Sequence, residues 1–173
     1  MRAGFDACVL TLLAAPSAGT VEDGCRKFDW PLNREIELFD EGFFADVESE
    51  SALPKDGAFS MLLKPVAAVM YMVAPERGRD DGYGGVVTLE WIAAGRYQVT
   101  LSGDVWVDAV QNGKRLPMLA ATSRDDCPGI RLSVQFEVKS QPLTLQLGGA
   151  MARRLNISVL PVRERYRADN WQP

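Results

Sequence analysis

The stretch Ile130-Arg131-Leu132-Ser133-Val134-Gln135-Phe136-Glu137-Val138-Lys139 decides the fold. Ile130, Leu132, Val134, Phe136 and Val138 fill every second position, with polar or charged side chains between them. Side chains of an extended chain alternate between two faces, so this period predicts a strand with one face buried and one wet. Tyr97, Val99 and Leu101 repeat the pattern, as do Leu143, Leu145 and Leu147, then Leu155, Ile157 and Val159, and Val87, Leu89 and Trp91. Phe59 to Leu63 adds a further strand. Val66 to Val73 and Val105 to Val110 are continuously apolar, which predicts strands in central positions.

Ala93-Ala94-Gly95, Asn112-Gly113, Pro128-Gly129 and Gln141-Pro142 punctuate these runs at short intervals. No helical pattern of ten residues alternates with them, so a parallel α/β sheet is disfavoured. The pattern predicts a mainly β protein, an antiparallel β-sandwich of about eight strands. One short amino-terminal helix precedes it. Leu32, Ile36, Phe39 and Phe43 share a helix face, Asp29 is placed to cap its start, Pro31 suits the first turn and Gly42 lies at its end. The acidic, serine-containing stretch Ala45 to Gly57, with Pro54, reads as a surface loop.

Composition narrows the chemistry. The 173 residues include 19 Lys plus Arg, 23 Asp plus Glu and no histidine, giving a net charge of −4. Hydrophobic residues make up 47%, enough to bury a core in one domain. Without an imidazole, Ser-His-Asp and Cys-His catalysis and His-based proton relays are excluded. Nucleophile-elbow, Walker and dinucleotide fingerprints are missing, and no catalytic residue is assigned. The expected role is a non-catalytic binding or accessory domain. The alternatives are a carboxylate-dependent hydrolase and a structural subunit docking through a sheet edge.

Residues 1–19 resemble a secretory signal, with Arg2, an apolar run from Ala7 to Ala15 and small residues around Ser17, Ala18 and Gly19. Removing that segment removes Cys8 and leaves Cys25 and Cys127, an even pair suited to an oxidising compartment. They are predicted to form a disulfide, whose loop of about 100 residues could contribute about 4 kcal/mol in the chain-entropy model. The expected organisation is a signal over 1–19, a helix and acidic loop over 20–57 packed on the sandwich, a β-sandwich over 58–162 and a polar tail over 163–173. No other stretch reaches membrane-spanning length.

The run Ala94-Gly95-Arg96-Tyr97-Gln98-Val99-Thr100-Leu101-Ser102, followed by Val105 to Val110 and Asn112-Gly113, resembles the strand pair of bacterial secreted jelly-roll domains. Carbohydrate-binding modules and pre-peptidase carboxy-terminal domains share it. The resemblance implies a jelly-roll-like sandwich that binds a glycan or accompanies an enzyme. The layout with linked Cys25 and Cys127 is also similar to secreted proteins of Gram-negative bacteria, which implies the periplasm. Partners in that setting are a glycan, a small ligand or an envelope protein.

Candidate ligand-binding residues come from two acidic loops and the tryptophans. Glu76 to Gly85 is polar and glycine-rich, and offers Asp80, Asp81 and Tyr83. Arg124-Asp125-Asp126 precedes Cys127, so Asp125 and Asp126 are held by the expected bridge. No metal or other cofactor is assigned. Calcium at Asp80 and Asp81 is the one cation the oxygens suggest, although the spaced ligands of an EF-hand are absent. Trp30 and Trp91 read as core. Trp106 shares a strand with Asp108 and its face is left open, and Trp171 falls in the polar tail.

Charge is uneven along the chain. Thr20 to Ser60 carries 4 basic and 11 acidic side chains, and Met151 to Pro173 carries 5 basic and 2 acidic. The cluster Arg163-Glu164-Arg165-Tyr166-Arg167 reads as a solvated tail, and no nucleic-acid partner is expected of a net negative chain.

Overall fold

Alternation along the chain produces twelve strands in two facing sheets, seen in a computed structural model that describes residues 22–42, 44–76 and 81–163 (for residues 22 and 23, backbone only). The expected signal, Phe43, Asp80, Trp171 and the tail beyond residue 163 lie outside the described residues.

The first sheet runs β1 (Ala45–Glu48), β3 (Gly57–Leu62), β12 (Arg154–Pro161), β6 (Gly95–Leu101), β10 (Leu132–Val138), β9 (Met118–Ser123). The second runs β2 (Ser51–Lys55), β5 (Tyr83–Trp91), β11 (Leu143–Ala150), β7 (Trp106–Gln111), β8 (Lys114–Arg115), with β4 (Lys64–Pro65) also paired to β5. The protein is thus a mainly β sandwich with an amino-terminal helix. Two pairings, β1 with β3 and β2 with β5, are parallel, so the sheets are mixed rather than wholly antiparallel.

Those pairings arise because the chain changes sheets twice in a few residues. At Ser49-Glu50 it crosses from the first sheet to the second, where the Val86 N–H donates to Ser49 Oγ at 3.1 Å. It crosses back at Asp56. The expected surface loop over Ala45 to Gly57 is therefore corrected to two short edge strands. Their charged side chains hid the period, since only Val47 of β1 is buried, and such charges protect a sheet edge from stray pairing.

The predicted inward positions fill the space between the sheets. Val87, Leu89, Val99, Leu101, Val134, Phe136, Leu143, Leu145, Leu147, Leu155, Ile157 and Val159 are all buried there. Four expectations are corrected. Val66 to Val73 is not a central strand: after Pro65 it makes a 3-10 turn, Val66–Ala68, and then crosses the outer face of the second sheet as a strap with Met70 and Met72 in solvent. Trp91 is 76% exposed, because it extends two residues past the Leu143–Leu89 pair where β11 begins. Ile130 precedes β10 and packs in a second cluster with Phe28, Leu32 and Cys127.

The fourth correction concerns the wet faces. Gln98, Thr100, Ser133, Gln135 and Ser158, on the polar side of the first sheet, are buried. The amino-terminal segment covers them. Its one-turn helix α1 (Glu22–Cys25) carries Cys25, and α2 (Asn33–Glu41) lies on the sheet. The Trp30 indole N–H donates to Ser133 Oγ at 3.1 Å, and Arg34 donates to the Pro161 carbonyl at 3.0 Å. Leu32, just before α2, is buried, and α2 half-buries Ile36 and Phe39 as the spacing predicts and stops at Gly42. Asp29 does not cap it; the residue preceding α2 is Leu32, and the Asp29 carboxylate pairs with Arg124 at 3.3 Å.

The predicted disulfide is present. Cys25 and Cys127 are joined across 102 positions with their α-carbons 4.6 Å apart. Among the described residues no helix is long and apolar enough to cross a membrane.

Candidate functional site

A concavity opens on one flank, between the β7 edge of the second sheet and the β9 edge of the first. Its volume is about 810 Å³. β7 and the residue before it bring Trp106, Val107, Asp108 and Val105 to the wall, the chain from Arg115 to Met118 closes one end, and the inner side chains of β10 form the floor. The two-residue turn Asn112-Gly113 sets this geometry. Both residues have positive φ, 50° and 69°, the conformation that matches the twist of a tight hairpin. The hairpin puts Arg115 opposite Val110 and diagonal to Asp108 on one face.

Arg115 organises the charge at the rim. Its Nε lies 3.1 Å from Asp108 Oδ2, its Nη1 lies 3.4 Å from Glu76 Oε1, and its Nη2 donates to the Ala74 carbonyl. The guanidinium is 24% exposed and the Asp108 carboxylate 15%, so this pair is partly desolvated. Asp104 also lines the cleft. Among the described residues at the rim, three carboxylates stand against one guanidinium.

Trp106 lies beside this triad on the outer face of β7, flat on β11. Only glycine at position 148 permits that, since a β-carbon there would stand 2.6 Å from Trp106 Cε2. The ring also meets Tyr71 of the strap, centroid to centroid at 5.3 Å. The buried Trp106 Nε1 has no hydrogen-bond partner. The strap is pinned by Gln146, which accepts from the Val73 N–H at 2.9 Å and donates to its carbonyl at 3.0 Å. Tyr71 donates to the Leu147 carbonyl at 3.0 Å, and burial pushes its hydroxyl pKa up.

Of the expected ligand-binding residues that are described, Trp106 alone lines this cleft. Tyr83 starts β5 and is half-buried under the Arg153 guanidinium, 5.9 Å from its ring centre; Asp81 is exposed in the loop before it. Asp80 lies outside the described residues. Asp125 and Asp126 are exposed at the disulfide corner, where Asp125 pairs with Arg131 at 3.0 Å and Asp126 with Lys27 at 2.7 Å. The hydrogen bond from Lys27 holds the Asp126 carboxyl below its ordinary pKa. Among the described residues no group of three Cys, Asp or Glu side chains gathers closely enough to hold a metal ion.

A second groove of about 560 Å³ lies at that corner, between the start of α2 and the disulfide, walled by Phe28, Trp30, Leu32, Ile36 and Pro128. Arg115 and Glu76 were not singled out by the sequence, although a two-residue hairpin around Asn112-Gly113 already places Arg115 diagonally across from Asp108. Glu35 was also missed. It is a carboxylate on the buried side of α2, and nothing in an amphipathic count marks it.

No family model, no curated protein and no solved structure matches this chain.

Proposed function

We propose that this protein is a binding domain that works outside the cytosol, in the periplasm where a signal over residues 1–19 would deliver it, and that it takes its ligand in the flank cleft. The observation that carries this reading is the cleft itself: a concavity of about 810 Å³ with an apolar floor and an anchored Asp108–Arg115–Glu76 triad at its rim. Binding sites typically combine apolar walls with a few fixed polar groups. The Cys25–Cys127 bridge supports an oxidising compartment, because such bonds persist poorly where thiols are kept reduced.

A non-catalytic role is favoured because Glu76 and Asp108 are both engaged by Arg115. The test is a thermal-shift and tryptophan-fluorescence screen of oligosaccharides, small amphipathic molecules and short peptides. A true ligand raises the melting temperature by several degrees at saturation, and the shift disappears in Trp106→Ala. A shift that survives in Trp106→Ala, or no shift from any compound, defeats the reading. Fractionation of cells producing the full chain tests the compartment: recovery of the protein with reduced thiols in the cytosol defeats that part.

A further inference from the structure

The flank cleft lies where, among the described residues, the last strand of the second sheet stops early. Each sheet ends on this side with its last strand, β9 in the first and β8 in the second. β9 has six residues but β8 has only two, Lys114 and Arg115. After Leu116, whose N–H donates to the Ala109 carbonyl at 2.7 Å, the chain leaves for the first sheet. β7 is therefore paired on its outer side only at Val110 and Gln111 and through that single bond. Among the described residues, Trp106 to Asp108 have β11 on one side and no strand on the other.

The ladder fixes which backbone groups are open. Residues of an antiparallel strand turn both their N–H and C=O to alternate sides. Ala109 turns toward β8, so Val107, two residues earlier, presents its N–H and C=O to the vacant position. The facing layer is bare as well. Met118, Ala121 and Ser123 stand opposite Phe136, Val134 and Leu132, which puts them on the inner face of the first sheet. All three are nevertheless exposed, and Met118 is 45% exposed. Inner residues of a sandwich are exposed only where the other sheet does not reach them.

We infer that this vacancy takes an extended segment of a partner polypeptide, added to the edge of β7 as a further strand. The inference rests on the binding role assigned to the cleft and names its ligand class. Backbone pairing with an open edge supplies affinity, and alternate side chains supply specificity. Apolar side chains of the segment enter over Leu132, Ala121 and Met118. Those between them face outward along the rim, where, among the described residues, Asp104, Asp108 and Glu76 outnumber Arg115. The chemistry selected is thus alternating apolar and basic, over about four or five residues at strand spacing.

The test uses the full chain and capped peptides. The probe is Lys-Val-Lys-Val-Lys-Val-Lys; the controls replace lysine by glutamate, or the central valine by proline, which has no N–H to donate. The expected result is binding of the lysine peptide, at least about tenfold weaker binding of either control, and slowed exchange of the Val107 amide in the complex. Ala121→Trp fills the vacant position from the bare layer and abolishes binding while the melting temperature holds. Should that variant not fold, the Val107 amide and the glutamate peptide decide.

Equal binding of all three peptides, an unchanged Val107 amide or undiminished binding by folded Ala121→Trp overturns the inference. So does a concentration-dependent dimer that Ala121→Trp dissolves, which would make a second copy the occupant. If no peptide binds but an oligosaccharide still shifts the melting temperature through Trp106, the strand inference fails and the binding role stands. If neither acts, both fail.

Discussion

Glu35 is the most consequential single side chain that the sequence pattern passes over. It is 1% exposed on the sheet side of α2, with the Arg34 guanidinium 3.4 Å away and Gln98 facing it from β6. Burial raises its pKa above the ordinary 4.5, and bonds to its own backbone, Arg34 and Gln98 oppose that shift without cancelling it. The folded state therefore binds this proton more tightly than the unfolded chain does. Its ionisation penalty is absent below the unfolded pKa and grows as pH rises through the folded one. Glu35→Gln is expected to raise the melting temperature at about pH 7 and to leave it unchanged below about pH 4, as thermal unfolding across that range will show. At the opposite face, Gly148→Ala forces the Trp106 ring off β11. Overpacking of this kind costs about 1–3 kcal/mol, read as a lower denaturation midpoint together with a changed tryptophan emission spectrum. Such details were closed to a sequence reading, because neither a buried carboxylate nor a glycine floor has a periodic signature. Arg115 was open to it, through the hairpin at Asn112-Gly113.

Among the elements, the strap after η1 (Val66–Ala68) shows why an apolar run misleads. Val66 to Val73 has the composition of a central strand, yet beyond the Val66 N–H, which donates to the Gly82 carbonyl, its bonds to the rest of the chain among the described residues are those of the Val73 backbone and the Tyr71 hydroxyl. Gln146, fully buried, provides both Val73 bonds. Gln146→Ala should cost about 1–3 kcal/mol through the lost bonds and hasten proteolytic cutting within the strap, while the β5–β11–β7 ladder stays protected from exchange. The strands that alternation did reveal, β6, β10, β11 and β12, form most of the interior, because a buried face on one side suffices to write the period. β1 and β2 were illegible for the converse reason. At an edge, few positions are buried and charge is useful, so the chain there has the composition of a loop. The covering of the first sheet by α2 was hidden too, since Gln98, Ser133 and Gln135 are the side chains expected on a solvated face.

At the scale of the molecule, the disulfide fastens the covering layer. It ties α1 to the turn before β10 beside Phe28, Leu32 and Ile130. Replacing Cys25 and Cys127 by serine, or reducing the bond, is expected to remove about 4 kcal/mol, seen as a lower urea midpoint in the variant or with reductant. The sandwich and this bridge were both readable from the residues, while the vacancy beside β7 was not, because it depends on where β8 stops rather than on what any residue is.

The position of β12 carries one more consequence. It is the last strand along the described residues, yet it sits between β3 and β6 and pairs with both along its length. Before Arg154 to Pro161 emerges, the first sheet is two halves with raw facing borders, each able to grip another unfinished chain. A message cut short ahead of this strand thus yields a sticky fragment instead of a smaller working protein, and a cell making this protein needs either swift completion or a chaperone to shield those borders.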